Sequence, residues 1–163
     1  GQYRVGGRMA IAARIDTATG PLVLCSVHYE SESDANGRAS QTETLLHRLD
    51  ALYGSVPAII GGDLNTKGFF EAGTSGPQML ARPEPIEPSF AYFARNGFDW
   101  RTANTGEVTT RLQPTAPANS PLETLDWLFT RSVAAQAPFV APALAESSDY
   151  LSDHELIGAR FQL

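Results

Sequence analysis

Cysteine is almost absent from this chain of 163 residues: Cys25 stands alone, so no internal disulfide can form. Its place in the apolar run Leu22-Val23-Leu24-Cys25-Ser26-Val27 marks it as a small core residue. Positive charge is also scarce, with 12 Lys and Arg against 18 Asp and Glu, a net charge of -6 and a pI near 5.0. Non-specific binding to long nucleic acids draws on clustered cations that release counterions, and here the basic residues are mostly scattered arginines. A few local cations together with a metal ion would still suffice to hold one phosphate. No stretch approaches the ~20 consecutive apolar residues of a membrane-spanning helix, so no transmembrane segment is expected. No signal peptide is recognisable, but the chain starts at Gly1 rather than Met, which leaves the compartment open. Repeats and low-complexity tracts are missing too, which argues against wholesale disorder.

What is present is enough apolar material, 42% of residues, for one substantial core. Two apolar-rich runs, Arg8 to Asp16 and Leu22 to His28, are joined by the turn-forming Thr17-Ala18-Thr19-Gly20-Pro21 and predict an antiparallel hairpin. Thr42, Leu45, Leu46, Leu49 and Leu52 recur at helical spacing, which predicts a helix from about Asp34 or Asn36 to before Gly54. His47 falls within it as a surface or packing residue. Val56 to Gly61 is a short apolar run suited to a buried strand, with Asp63 and Asn65 on the loop that follows. The Gly- and Pro-rich residues 73 to 88 are expected to be mainly irregular. Ser89 to Asn96 reads as a short helix stopped by Gly97, and Gln113 to Pro121 as a loop before a strand at Thr124 to Thr130. Beyond a further Pro- and Ala-rich stretch, Glu155 to Leu163 reads as the last strand. Strands with one clear helix and long loops imply a mixed α/β or α+β layered fold.

Four polar clusters sit at the ends of these apolar runs. They are His28 after Val27, Gly61-Gly62-Asp63-Leu64-Asn65, Leu125-Asp126-Trp127, and Ser152-Asp153-His154. A buried strand does not carry an unpaired carboxylate or imidazole in its middle, whereas at a strand end the same group can project into a cleft. Asp63 and Asn65, two apart, can face one side, either as a functional pair or as caps of a turn. Asp126 needs a partner: an imidazole, backbone amides or an arginine. Ser152-Asp153-His154 supplies two titratable groups that point to opposite faces if the segment is extended. Together the clusters suggest hydrolytic chemistry. Phe69, Phe70, Tyr92 and Trp100 are candidates to line the cleft, though packing is the commoner role of such residues.

In this order the motifs Val27-His28, Gly62-Asp63-Leu64-Asn65, Leu125-Asp126-Trp127 and Ser152-Asp153-His154 resemble the endonuclease/exonuclease/phosphatase superfamily. The resemblance implies an α/β (α+β) fold, a two-sheet β-sandwich flanked by helices in a DNase-I-like four-layer architecture. It further implies a phosphoesterase dependent on Mg²⁺ or Mn²⁺, with His28, Asp63, Asn65, Asp126 and His154 as catalytic residues and Asp153 as a metal ligand. In that scheme Asp63 orients the attacking water, and Asn65 holds that water and a phosphate oxygen. His154, oriented by Asp126, stabilises the phosphoryl group, and His28 lies on the leaving-group or phosphate side. Family members also carry an Asn-bearing strand and a metal-binding Glu ahead of the region matching Arg8. Glu30 and Glu32 do not occupy that place, so residues 1–163 are expected to be one partial domain of this type.

Three functions compete. The first is hydrolysis of a phosphomonoester or phosphodiester, with a small phosphoester or lipid headgroup favoured over bulk nucleic acid by the acidic composition. The second is a non-catalytic binding module on the same fold. The third is a nuclease, with Arg82, Arg101 and Arg111 as its cationic contacts.

Overall fold

The computed structural model describes residues 9–74, 76–112, 116–147 and 149–163. The chain opens with the expected hairpin, β1 (Ala10–Thr17) and β2 (Gly20–His28), paired antiparallel from Ala10↔Val27 to Thr17↔Gly20. Arg8 lies outside the described residues, and β1 runs one residue past Asp16. Gly20 adopts φ 125°, which an L side chain resists, and the Thr17 hydroxyl donates to its carbonyl at 2.6 Å, closing the turn. Along β2 the period of two is plain: Val23, Cys25 and Val27 are buried, while Leu24, Ser26 and His28 face the other way. Burial also pushes the Cys25 thiol up to a pKa of about 11, so it is an inert core group.

Asp34 caps α1 (Ala35–Tyr53), its carboxylate accepting from the Gly37 N–H at 2.7 Å, and Gly54 ends it with φ 64°. Thr42, Leu45, Leu46 and Leu49 face the core, and His47 is exposed as expected. Leu52, assigned by spacing to the same face, is 71% exposed. After α1 comes β3 (Ala58–Asp63), then α2 (Gly68–Glu71), α3 (Gly76–Ala81) and α4 (Ser89–Arg95), followed by β4 (Asp126–Arg131), β5 (Ala134–Ala141) and β6 (Leu156–Gln162). One sheet has the order β1-β2-β3-β4, with β3 parallel to β2 and antiparallel to β4, and the second sheet pairs β5 with β6. This is the mixed α/β fold with two sheets and flanking helices that the motifs implied.

Four local readings are corrected. β3 does not stop at Gly61 but continues through both glycines, so Asp63 is the last strand residue rather than a loop residue. Residues 73 to 88 are not wholly irregular, since α3 forms there between glycine and proline punctuation, and α2 precedes it. The Thr124 to Thr130 strand begins instead at Asp126, because Thr124 and Leu125 bond to loops rather than to a strand partner. Finally, the Pro- and Ala-rich stretch holds β5, whose ladder shifts register between Gln136 and Phe139 around Pro138, with Ala137 at φ 50°. A two-stranded sheet is all edge, and a bulge there accommodates a residue with no N–H to donate.

Gly62 is where the backbone needs glycine most. Its φ is 143°, and a Cβ there would stand 2.0 Å from the Val27 carbonyl oxygen. Gly62→Ala is therefore expected to destabilise the protein by about 2 kcal/mol or more, through positive-φ strain and displacement of β2 from β3. A urea denaturation midpoint equal to that of the parent would refute this.

The core is aromatic. Phe69, Phe90, Phe93, Trp100, Trp127 and Phe129 are each at most 2% exposed, with Phe93 stacked on Phe129 at 3.7 Å and Phe90 edge-on to Trp127 at 4.9 Å. Phe69 and Trp100 are thus packing residues and line no cleft. Phe70 is exposed, and Tyr92 is half-buried beneath the Arg95 guanidinium. A buried ion pair ties the surrounding loops together. Arg38 of α1, 3% exposed, donates to both carboxylate oxygens of Glu87 and to the Ser33 carbonyl, and Glu87 also accepts from the Gly68 N–H.

Candidate active site

Register brings the site together. His28 pairs with Asp63 across β2 and β3, and Asp63 pairs with Asp126 across β3 and β4, so three strand-end residues lie on one rung of the sheet. Residues opposite one another in a ladder project to the same face, which is why two apolar runs ending in His28 and Asp63 and one beginning at Asp126 converge there. The His28 Nε2 stands 3.3 Å from Asp63 Oδ2. Asp63 and Asp126 are mostly buried, with side chains 15% and 13% exposed, while the His28 side chain is 55% exposed to the cleft.

Asn65 sits in the turn beyond Asp63 at φ 52°, a conformation asparagine tolerates better than most residues. Its backbone N–H donates to Asp63 Oδ1 at 2.7 Å. The side-chain amide donates to the Tyr29 carbonyl at 3.0 Å and to Asp63 Oδ2 at 3.2 Å. Both amide protons are therefore engaged within the chain, and Oδ1 is the group left to face a water or cation. In this geometry Asn65 holds Asp63 through both its backbone and its side-chain N–H groups.

His154 arrives from the far end of the chain by a short pairing. Residues 109 to 111 lie antiparallel to 153 to 155, through a Thr110↔His154 bridge, Arg111 N–H to the Asp153 carbonyl at 2.8 Å and Glu155 N–H to the Thr109 carbonyl at 2.7 Å. That sets His154 Nδ1 2.7 Å from Asp126 Oδ2, so the partner of Asp126 is an imidazole. The hydrogen bond to Asp126 is the largest influence on His154 and, with the charges of Asp126, Asp63 and Asp153, lifts its pKa from 6.5 to about 9 against the opposing effect of burial. The imidazole is then a cation at neutral pH. Asp63 is shifted upward, chiefly by burial; the Asn65 N–H counters this, Asp126 adds to it, and the two histidines counter it.

Stability should follow this titration. Below pH 6.5 both folded and unfolded chains hold the His154 proton, and its contribution is complete. Between 6.5 and about 9 only the folded chain holds it, so stability falls as pH rises, and the contribution is gone above 9. Urea midpoints at pH 6, 7.5 and 9.5 are expected to decline in the parent and to flatten in Asp126→Asn. Equal slopes in the two proteins would contradict the assignment.

Asp153, the expected metal ligand, is exposed beside His154. Among the described residues no three His, Cys, Asp or Glu side chains gather into a group able to hold a metal ion. Hard carboxylate oxygens suit Mg²⁺ or Mn²⁺, and the exposed Asp153 would offer a single such ligand. Of the arginines named for polyanion contact, Arg101 is paired with Asp99 at 2.6 Å and stacks on Trp100, and Arg111 is paired with Glu155 and lies over the Tyr150 ring. Thr109 was not anticipated: its hydroxyl donates to Asp126 Oδ2 at 2.7 Å, and Val108-Thr109-Thr110 carries no motif that would have marked it.

Solved structures share this arrangement of elements. An endonuclease/exonuclease/phosphatase from Bacteroides vulgatus superposes over 96% of the chain with a TM-score of 0.63 at 19% identity. The chain has the endonuclease/exonuclease/phosphatase fold. Bacteroides thetaiotaomicron mannosyl-6-phosphatase matches over 96% of the chain at 15% identity and a TM-score of 0.59, and a humanized Danio rerio TDP2 over 96% at 18% and 0.59. The chain spans 56%, 57% and 61% of those three proteins respectively, little more than half their length. No protein-family model matches the chain, and no curated protein matches it by sequence.

Proposed function

We propose that this site hydrolyses a phosphomonoester or phosphodiester by in-line attack of water, as neighbours on this fold named as a phosphatase and as an endonuclease suggest. The observation that carries the reading is the single rung His28, Asp63, Asp126 with His154 hydrogen-bonded to its last member. Asp63, held by Asn65, orients the water and takes its proton as the new P–O bond forms and the bond to the leaving oxygen breaks. His154, an imidazolium kept in place by Asp126, faces the negative charge that builds on the phosphoryl oxygens. His28 stands on the same face, on the leaving-group or phosphate side.

A divalent ion, Mg²⁺ or Mn²⁺, with Asp153 among its ligands, would supply further charge stabilisation when bound. Paired Arg101 and Arg111 and the net charge of -6 favour a small phosphoester or lipid headgroup over bulk nucleic acid. The test is hydrolysis of an aryl phosphodiester and an aryl phosphomonoester with Mg²⁺, with Mn²⁺ and with EDTA. Turnover that EDTA abolishes supports the reading. A folded protein that turns over neither ester with either metal would instead be a binding module on this fold, and faster turnover of plasmid DNA than of the small esters would make it a nuclease.

A further inference from the structure

Thr109 is 2% exposed and outside every motif, yet its hydroxyl is committed on all sides. It accepts from the Leu125 N–H at 3.0 Å and the Asp126 N–H at 3.1 Å, and it lies 2.7 Å from Asp126 Oδ2. A hydroxyl has two lone pairs and one proton. Two backbone donors occupy the lone pairs, so the proton can go only to Asp126 Oδ2, the same oxygen that His154 Nδ1 approaches at 2.7 Å.

We infer that Thr109 is the positioning residue of the Asp126–His154 pair. Its hydroxyl pins one carboxylate oxygen against rotation about the Asp126 side chain, and that oxygen then obliges His154 to carry a proton on Nδ1 and turn Nε2 to the cleft. The backbone of the same residue helps place the imidazole, since the Thr109 carbonyl accepts from the Glu155 N–H at 2.7 Å while its N–H donates to the Glu123 carbonyl at 2.9 Å. One threonine thus holds both the carboxylate and the segment that carries the histidine.

The catalytic consequence rests on the proposed phosphoesterase reading, but the geometry can be tested without it. Long-range ¹H–¹⁵N spectra of the labelled protein resolve its three histidines, His28, His47 and His154. The parent is expected to show a slowly exchanging, downfield His154 Nδ1–H, lost or shifted upfield in Thr109→Val and retained in Thr109→Ser. In the hydrolysis assay Thr109→Val is expected to lower kcat by about 10–100-fold with KM unchanged, and Thr109→Ser to restore it. A Thr109→Val protein with the parental His154 resonance and the parental kcat would overturn the inference.

Valine also leaves the Leu125 and Asp126 N–H groups without an acceptor, so that variant can fail to fold. The unsubstituted protein then decides: a slowly exchanging Thr109 hydroxyl proton close to the His154 Nδ1–H supports the inference, and a freely exchanging hydroxyl refutes it. If the spectra behave as expected while no ester is hydrolysed, the positioning stands and the phosphoesterase reading falls.

Discussion

Asp63→Asn is expected to reduce kcat for phosphoester hydrolysis by about 10²–10⁴-fold, and His154→Ala to do so by a comparable factor. The two losses have different origins. In the proposed reaction the Asp63 carboxylate is the proton acceptor beside the attacking water; an amide of the same shape keeps the Asn65 contacts on one side but cannot take the proton. Removing the His154 imidazole deletes a cation, and it leaves Asp126 oriented by Thr109 with nothing to present to the cleft. Because the two residues act on one transition state, the double variant should be little worse than the weaker single one, a non-additivity that distinguishes shared chemistry from independent damage. Circular dichroism and urea midpoints identify which variants remain folded. Activity within tenfold of the parent in either folded variant would remove that residue from the mechanism.

Breaking the Arg38–Glu87 pair is expected to cost about 3–5 kcal/mol of folding stability from either side. Glu87 is fully buried, and its carboxylate collects Arg38 and the Gly68 N–H; Glu87→Ala would strand a buried guanidinium and an amide donor together. Burial raises the Glu87 pKa, and the Arg38 hydrogen bonds and charge oppose that shift, so each partner keeps the other tolerable in the core. Arg38→Met with Glu87→Leu should recover part of the loss, since two apolar side chains leave no buried charge. Urea unfolding measures all three proteins, and single variants that lose less than 1 kcal/mol would show the pair to be dispensable. Function is linked to this clamp as well. Ser33 lies on the loop after His28 and Gly68 opens α2 just beyond Asn65, so a loosened clamp is expected to slow hydrolysis even in protein that stays folded.

Much of this was legible in the residues themselves. The turn at Thr17 to Gly20, the Asp34 cap and the Gly54 stop depend on local chemistry and lie where the sequence places them. So does the inert Cys25, one of a set of alternating buried residues. β5 was not legible, because proline and alanine read as irregular until a bulge and a partner strand accommodate them. Neither was the extra reach of β3, since two glycines signal a turn unless a neighbouring backbone needs the space beside them. Arg38 and Glu87, 49 residues apart, carry no sign of one another in the sequence.

The sequence by itself determined which groups can stand at the rim of the sheet: apolar runs that bury a strand allow a carboxylate or imidazole only at their ends, and that singles out His28, Asp63, Asp126 and His154. Only the tertiary structure decided what each can do there. Strand register puts three of them on one rung, and the pairing of residues 109–111 with 153–155 carries His154 onto Asp126. The Tyr29 carbonyl, 36 residues away, takes one Asn65 amide proton, and the Leu125 and Asp126 N–H groups aim the Thr109 hydroxyl. Such directions depend on contacts across tens of residues, and local sequence has no means of encoding them in view.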